Sequence, residues 1–221
     1  MRRVFVAFKL LGGDDTCVSK WVVALTKRSG VYPGDYTGER WNTACHVELV
    51  LEISCHSRCV YCTRRTGRRQ HRVSYSVTTM PDRDRVFVTV DRAYKQRWLL
   101  FALTLNKAQF QRIQLFLQKQ RGKPFNNRGA WWNFLCARFC LLPPLGCRYR
   151  ADCEYSDHTE WFCTEMVVAA LQSVGLCSYR DPCCVSPNEL LAVLATCQRP
   201  DLCVTRYMLP GETNELAPLI A

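Results

Sequence analysis

The chain lacks any uninterrupted apolar run of the roughly eighteen residues a membrane helix needs. Its best stretch, Trp131 to Cys147, is broken by Arg138 and by Pro143-Pro144. No secretory leader is expected either: after Arg2-Arg3 the apolar segment Val4 to Phe8 stops at Lys9 and reads as a first strand. No nucleotide-binding loop, paired-carboxylate signature or Gly-rich phosphate cradle is present, so no cofactor is expected. Histidine is scarce, with 4 in the chain, and a reaction that needs an imidazole has few places to find one. These absences predict an intracellular protein without a transmembrane helix.

What is there describes an ordinary globular chain. Its 221 residues are 48% hydrophobic and 22% charged, enough to bury one sizeable core and too apolar for disorder. The net charge of +11 is unevenly placed: residues 1–150 carry 27 Lys/Arg against 9 Asp/Glu, whereas residues 151–221 carry 3 against 10. Such asymmetry fits either a face that attracts polyanions or two halves of one domain that attract each other. The 15 cysteines are many and odd in number. In a reducing compartment they do not form a disulfide framework, so most are expected as small buried hydrophobes and one as a reactive thiol.

The pattern along the chain predicts a single α+β domain over residues 1–208, followed by a flexible tail, 209–221. After the first strand a short helix is expected over Ser19 to Thr26. The clearest strand is Ala44 to Ile53, with His46, Glu48, Val50 and Glu52 on one face and Cys45, Val47, Leu49, Leu51 and Ile53 on the other. Residues 54–72 read as a Cys-rich then Arg-rich insertion. Strands Val73 to Thr79, Val86 to Val90 and Trp98 to Leu105 follow, then a helix from Lys107 to Gln120 capped by Asn106. Ala130 to Leu141 is expected to be helical. So is Glu160 to Val174, capped by Thr159 or Asp157 and ended by Gly175. Ser186-Pro187-Asn188-Glu189 spells a capped start for a helix over Glu189 to Thr196, and Leu202 to Met208 is a final strand.

A thiol becomes a nucleophile when its pKa falls, and the first turn of a helix lowers it through unsatisfied N–H groups and the positive dipole end. Cys163 stands near the start of the late apolar helix. The base it needs would be a histidine held on a neighbouring sheet, and His46, mid-strand, is the obvious choice. Either residue alone is more often structural; the combination carries the reading. His158, five residues before Cys163, is a rival base in a polar run that reads as a solvated loop.

His46-Val47-Glu48-Leu49-Val50, then Lys123-Pro124-Phe125-Asn126 with Gly129 and Asn133-Phe134, then Phe162-Cys163-Thr164-Glu165-Met166-Val167 with Leu171-Gln172 and Ser186-Pro187, together resemble a known family. It is the circularly permuted NlpC-type papain-like fold, in the versions found in large DNA viruses, an antiparallel sheet packed against helices. The likeness runs from about residue 3 to residue 208, with its two end motifs the sharp ones. It implies Cys163 as nucleophile, His46 as base and a polar residue that orients the imidazole, in a thiol hydrolase, peptidase or lipid acyltransferase. The substrate would be a peptide, isopeptide or lipid acyl group, and the location the host cytoplasm or the virion. The orienting group usually lies on the strand after the histidine, where this chain offers Ser74, Ser76 and Thr78. Glu48, two residues from His46 on the same strand face and roughly 6.5–7 Å along, is the expected partner. Trp161, Asn126 and Trp131 are the expected substrate-contacting residues.

Cys55, Cys59, Cys62 and His71 include one C-x-x-C, but no second C-x-x-C stands at finger distance, so free cysteines are the default over zinc. Arg64, Arg65, Arg68 and Arg69 form a basic stretch able to meet a nucleic acid or an anionic membrane. A protein that keeps the scaffold without catalysis and docks through its basic face on nucleic acid, a membrane surface or a host partner is the competing reading.

Overall fold

A computed structural model describes residues 2–10, 44–55, 69–78, 84–91, 94, 98–131, 158–177, 182–195 and 204–207. The chain is mixed α+β, built on one antiparallel sheet. Five strands, β1 (Arg2–Leu10), β2 (Ala44–Cys55), β3 (Arg69–Val77), β4 (Val86–Val90) and β5 (Trp98–Leu105), are joined at one edge by the four-residue β6 (Val204–Tyr207), in the order β4-β3-β2-β1-β5-β6. The helical elements include α1 (Lys107–Gln120), α2 (Cys163–Gln172) and α3 (Pro187–Ala195), and a short 3-10 turn (Pro182–Cys184).

Strand alternation sorts the side chains onto two faces. Val4, Val6 and Phe8 of β1, Val47, Leu49 and Leu51 of β2, and Val73, Tyr75 and Val77 of β3 point toward the helices. They bury against Ile113 and Leu117 of α1, Met166, Val167 and Ala170 of α2, and Leu190, Leu191 and Leu194 of α3. The opposite face buries a smaller cluster of Phe5, Ala7, Val50, Trp98, Leu100 and Ala102, with Tyr94 packed against it. Burial of this kind yields about 25 cal/mol per Å² of apolar surface, and both faces of the central strands contribute.

The helix ends follow local chemistry. Asn106 Oδ1 accepts from the Gln109 N–H at 2.9 Å while Gln109 Oε1 accepts from the Asn106 N–H at 3.1 Å, a reciprocal box that starts α1 where the sequence places it. Ser186 and Glu189 do the same for α3, which begins at Pro187 rather than Glu189. Gly175, at φ +80, follows α2 in the left-handed conformation that glycine adopts without strain.

Three further expectations shift. The helix expected from Glu160 begins only at Cys163, and its cap is Phe162 rather than Thr159; Asp157 lies outside the described residues. The physical reason is that the segment before it is committed to pairing. Trp161 N–H donates to the Pro124 carbonyl at 3.0 Å and the Asn126 N–H donates to the Trp161 carbonyl at 2.8 Å, a parallel bridge that keeps the chain extended up to Phe162. Next, the insertion expected at 54–72 is cut back from both ends, because the β2–β3 ladder continues to Cys55↔Arg69. Finally, the last strand is shorter than expected, Val204–Tyr207. The helix of Ser19 to Thr26, the tail 209–221 and most of Ala130 to Leu141 lie outside the described residues, although residues 127–131 are helical. Among the described residues no helix is long and apolar enough to cross a membrane.

Candidate active site

Cys163 is the first residue of α2. Phe162, in the cap position, has no side-chain acceptor to offer the helix, and its own N–H is taken by Glu165 Oε2 at 3.2 Å. The N–H groups of the first turn therefore have no capping side chain at Phe162 to satisfy them, and their partial positive charge falls where the Cys163 sulfur sits. Thr164 Oγ1 lies 3.8 Å from that sulfur.

The other half of the site comes from β2. Its start is fixed by Asn188 of α3, whose Oδ1 accepts from the Ala44 N–H at 2.9 Å, a buried link 144 residues long in sequence. The β2–β3 ladder begins only at Leu49↔Tyr75, so Ala44 and His46 to Glu48 are paired on their β1 side alone, with Cys45 at a register shift between them. That open stretch lets the helix end approach: the Val47 N–H donates to the Cys163 sulfur, and the His46 ring hydrogen-bonds it as well.

The far side of the imidazole is equally engaged. His46 Nε2 lies 2.9 Å from Ser76 Oγ and 3.4 Å from Glu48 Oε1. With Nε2 held there, Nδ1 is the ring nitrogen left to the sulfur. Glu48, 1% exposed, is held in turn: Ser74 Oγ donates to its Oε2 at 2.6 Å and Tyr94 OH donates to the same oxygen at 3.2 Å. The Trp98 ring meets the imidazole edge to face, with centroids 6.3 Å apart, and Tyr94 packs on Trp98 in turn.

Electrostatics follow from these contacts. Burial alone would hold His46 below its ordinary 6.5, but its hydrogen bond to Cys163 and then that to Glu48 outweigh burial and raise it to about 9. Burial likewise pushes the Cys163 thiol up; the His46 hydrogen bond and charge, Thr164 and the Val47 N–H overcome this and bring it below its usual 9.0. The two shifts are one event. Both favour the proton on nitrogen over sulfur.

The structure thus brings together Cys163, His46 and Glu48, and adds Ser76 and Ser74 from the following strand. Tyr94 escaped sequence reasoning, because no motif surrounds it in the sequence. The Val47 N–H escaped it too, since a backbone donor leaves no mark in a sequence. The expected substrate contacts divide. Trp161 is fully buried, with its Nε1 donating to Gln120 Oε1 at 3.1 Å and its ring against Phe116, so it is core and presents no surface to a ligand. Asn126 spends its Oδ1 on the Gly129 N–H at 2.7 Å, capping the turn at 127–131. An added Cβ at Gly129 would come within 2.4 Å of the Asn126 amide. Trp131 alone is exposed, at 55%.

His158, expected in a solvated loop, is instead packed face to face on Trp161, with centroids 4.7 Å apart at an interplanar angle of 13°. For zinc, Cys59 and Cys62 lie outside the described residues, and His71 Nδ1 is engaged with Asp91 Oδ2 at 2.8 Å. No cluster of three or more metal-ligating side chains occurs among the described residues. Arg64, Arg65 and Arg68 also lie outside them, and of Arg69 only the backbone, in β3, is described.

Comparison with protein-family models, with curated proteins and with solved structures finds no match to this chain.

Proposed function

We propose that the chain is a cysteine-dependent hydrolase or acyltransferase of permuted NlpC-type papain-like fold, acting on an amide or ester acyl group. The observation that carries this reading is the hydrogen-bonded Cys163–His46 pair at the N-terminus of α2, with the thiol shifted down and the imidazole up. A structural cysteine gains nothing from such an arrangement, whereas a nucleophile requires it. The strand order of the sheet, with the histidine on β2 and the cysteine on a later helix, is in keeping with the permuted arrangement that the sequence resembles.

In this reading the Cys163 thiolate attacks the acyl carbon, forming a C–S bond as the carbonyl π electrons move to oxygen. The Cys163 backbone N–H, free at the first helical position, meets that oxyanion. Collapse of the tetrahedral species expels the amine or alcohol, which takes the proton from the His46 imidazolium. The acyl-thioester is then resolved by an acceptor that His46 deprotonates: water for a hydrolase, an amine or alcohol for a transferase. Glu48 stabilises the imidazolium while Ser76 and Glu48 fix the ring plane.

Activity-based profiling tests this with peptide, ubiquitin-like and lipid acyl probes in parallel. One of these classes labels the wild type at Cys163, and neither Cys163→Ala nor His46→Ala is labelled. Labelling that survives Cys163→Ala sinks the assignment.

A further inference from the structure

A second histidine stands beside the same helix end. His158 Nδ1 lies 3.8 Å from Glu165 Oε1, and Glu165, 3% exposed, sits in the first turn of α2 two residues after Cys163. The other oxygen of that carboxylate holds the Phe162 N–H, one peptide away from the sulfur-bearing residue. An ionised Glu165 would therefore put a buried negative charge two residues along the chain from the place where a thiolate must form. Like charges in a poorly solvated site oppose each other, and the sulfur would be the one to lose its charge.

His158 is held where its ring can answer that charge. Its ring lies flat on Trp161, which is itself anchored through Gln120. Its carbonyl accepts from the Lys123 ammonium. Its side chain is 35% exposed, so a proton can reach it from solvent. Among the described residues, Glu165 of α2 stands against this ring and Lys123, from the loop after α1, reaches the His158 carbonyl; Glu160, two residues on, is exposed.

We propose that His158 is a positioning residue that pairs as a cation with Glu165, neutralising the carboxylate beside Cys163 and fixing the Phe162–Cys163 peptide at the helix mouth. This deepens the reading above, because it assigns a role to a residue that supports the same thiolate, but its test does not depend on turnover. His158 takes no proton from substrate or from Cys163, and it is distinct from the base, His46.

The experiment is the pH dependence of Cys163 alkylation by iodoacetamide, read at the peptide level by mass spectrometry, in the full chain. Alkylation reports thiolate whether or not the protein is an enzyme. His158→Phe keeps the stack on Trp161 and removes the cation; its alkylation midpoint is expected to move up by about one pH unit. Glu165→Gln retains an acceptor for the Phe162 N–H and removes the anion, and the double variant H158F/E165Q returns to the wild-type midpoint. An unmoved midpoint in H158F, or a double variant that stays shifted, overturns the proposal. Loss of acyl-probe labelling in H158F as complete as in His46→Ala makes His158 the base and overturns it too. A wild type that shows the alkylation shifts but takes no acyl probe leaves the pairing standing and removes the enzymatic reading alone.

Discussion

Two histidine–carboxylate pairs flank Cys163, and they differ in what they do with the imidazole. His46 and Glu48 come from alternate positions of one strand, with 3.4 Å between Nε2 and Oε1, and the carboxylate is surrounded by the hydroxyls of Ser74 and Tyr94. His158 and Glu165 come from a loop and a helix, 3.8 Å apart, with the ring stacked on a buried indole. Only His46 also hydrogen-bonds the sulfur. A nearby carboxylate makes any histidine a better cation; contact with the thiol is what turns one into a base. The same carboxylate type therefore serves opposite ends, supporting an imidazolium in the first pair and needing to be quieted in the second.

The sharpest way to break this contrast is to remove each imidazole. His46→Ala is expected to reduce acyl-probe labelling by about a thousandfold or more, measured by single-turnover labelling. His158→Phe should cost far less at a pH above its shifted midpoint.

Next in size is the pH response. The reactive pair exists only above the lowered Cys163 pKa and below that of His46, so acyl-probe turnover should be bell-shaped with its alkaline limb near pH 9. Alkylation by iodoacetamide needs thiolate alone and should not fall on that limb. In Cys163→Ala, the hydrogen bond that most raises His46 is gone, and NMR titration should find its ring pKa below 9.

Glu48→Gln comes third. Because Glu48 raises His46, the alkaline limb should move downward, with about a ten- to hundredfold loss in labelling rate. Glu48→Ala is expected in addition to lower stability by about 2–4 kcal/mol in urea unfolding, since Ser74, Tyr94 and the imidazolium would lose a buried acceptor.

The smallest effect expected is that of Ser76→Ala. Glu48 Oε1 remains within reach of Nε2, so labelling should drop by only about three- to tenfold with the limbs unmoved. A loss as large as that of Glu48→Gln would show that the 2.9 Å contact, rather than the carboxylate, orients the ring.

Much of this was legible in the sequence because it rests on local rules. Period-two alternation marked Ala44 to Ile53, a β-like apolar run marked Trp98 to Leu105, and Asn106 as cap marked the start of α1. The i, i+2 relation put His46 and Glu48 on one strand face, and an apolar run after Cys163 marked its helix. What stayed hidden is set by tertiary contact. The start of α2 depends on Trp161 pairing with the Pro124–Asn126 segment, some 35 residues earlier, which no cap residue near 160 reveals. Trp161 reads equally as a substrate platform or as core until its indole N–H finds Gln120. His158 looks solvated in a polar run, and only the fold lays it on that indole.

The late start of the β2–β3 ladder has a consequence of its own. Two more rungs in the same register would set Val77 opposite Val47, and a carbonyl would claim the amide hydrogen that now points at sulfur. Completing the sheet and keeping the thiolate are rival uses of one N–H, so a substitution that zips those strands shut would give a tougher protein with a quieter cysteine.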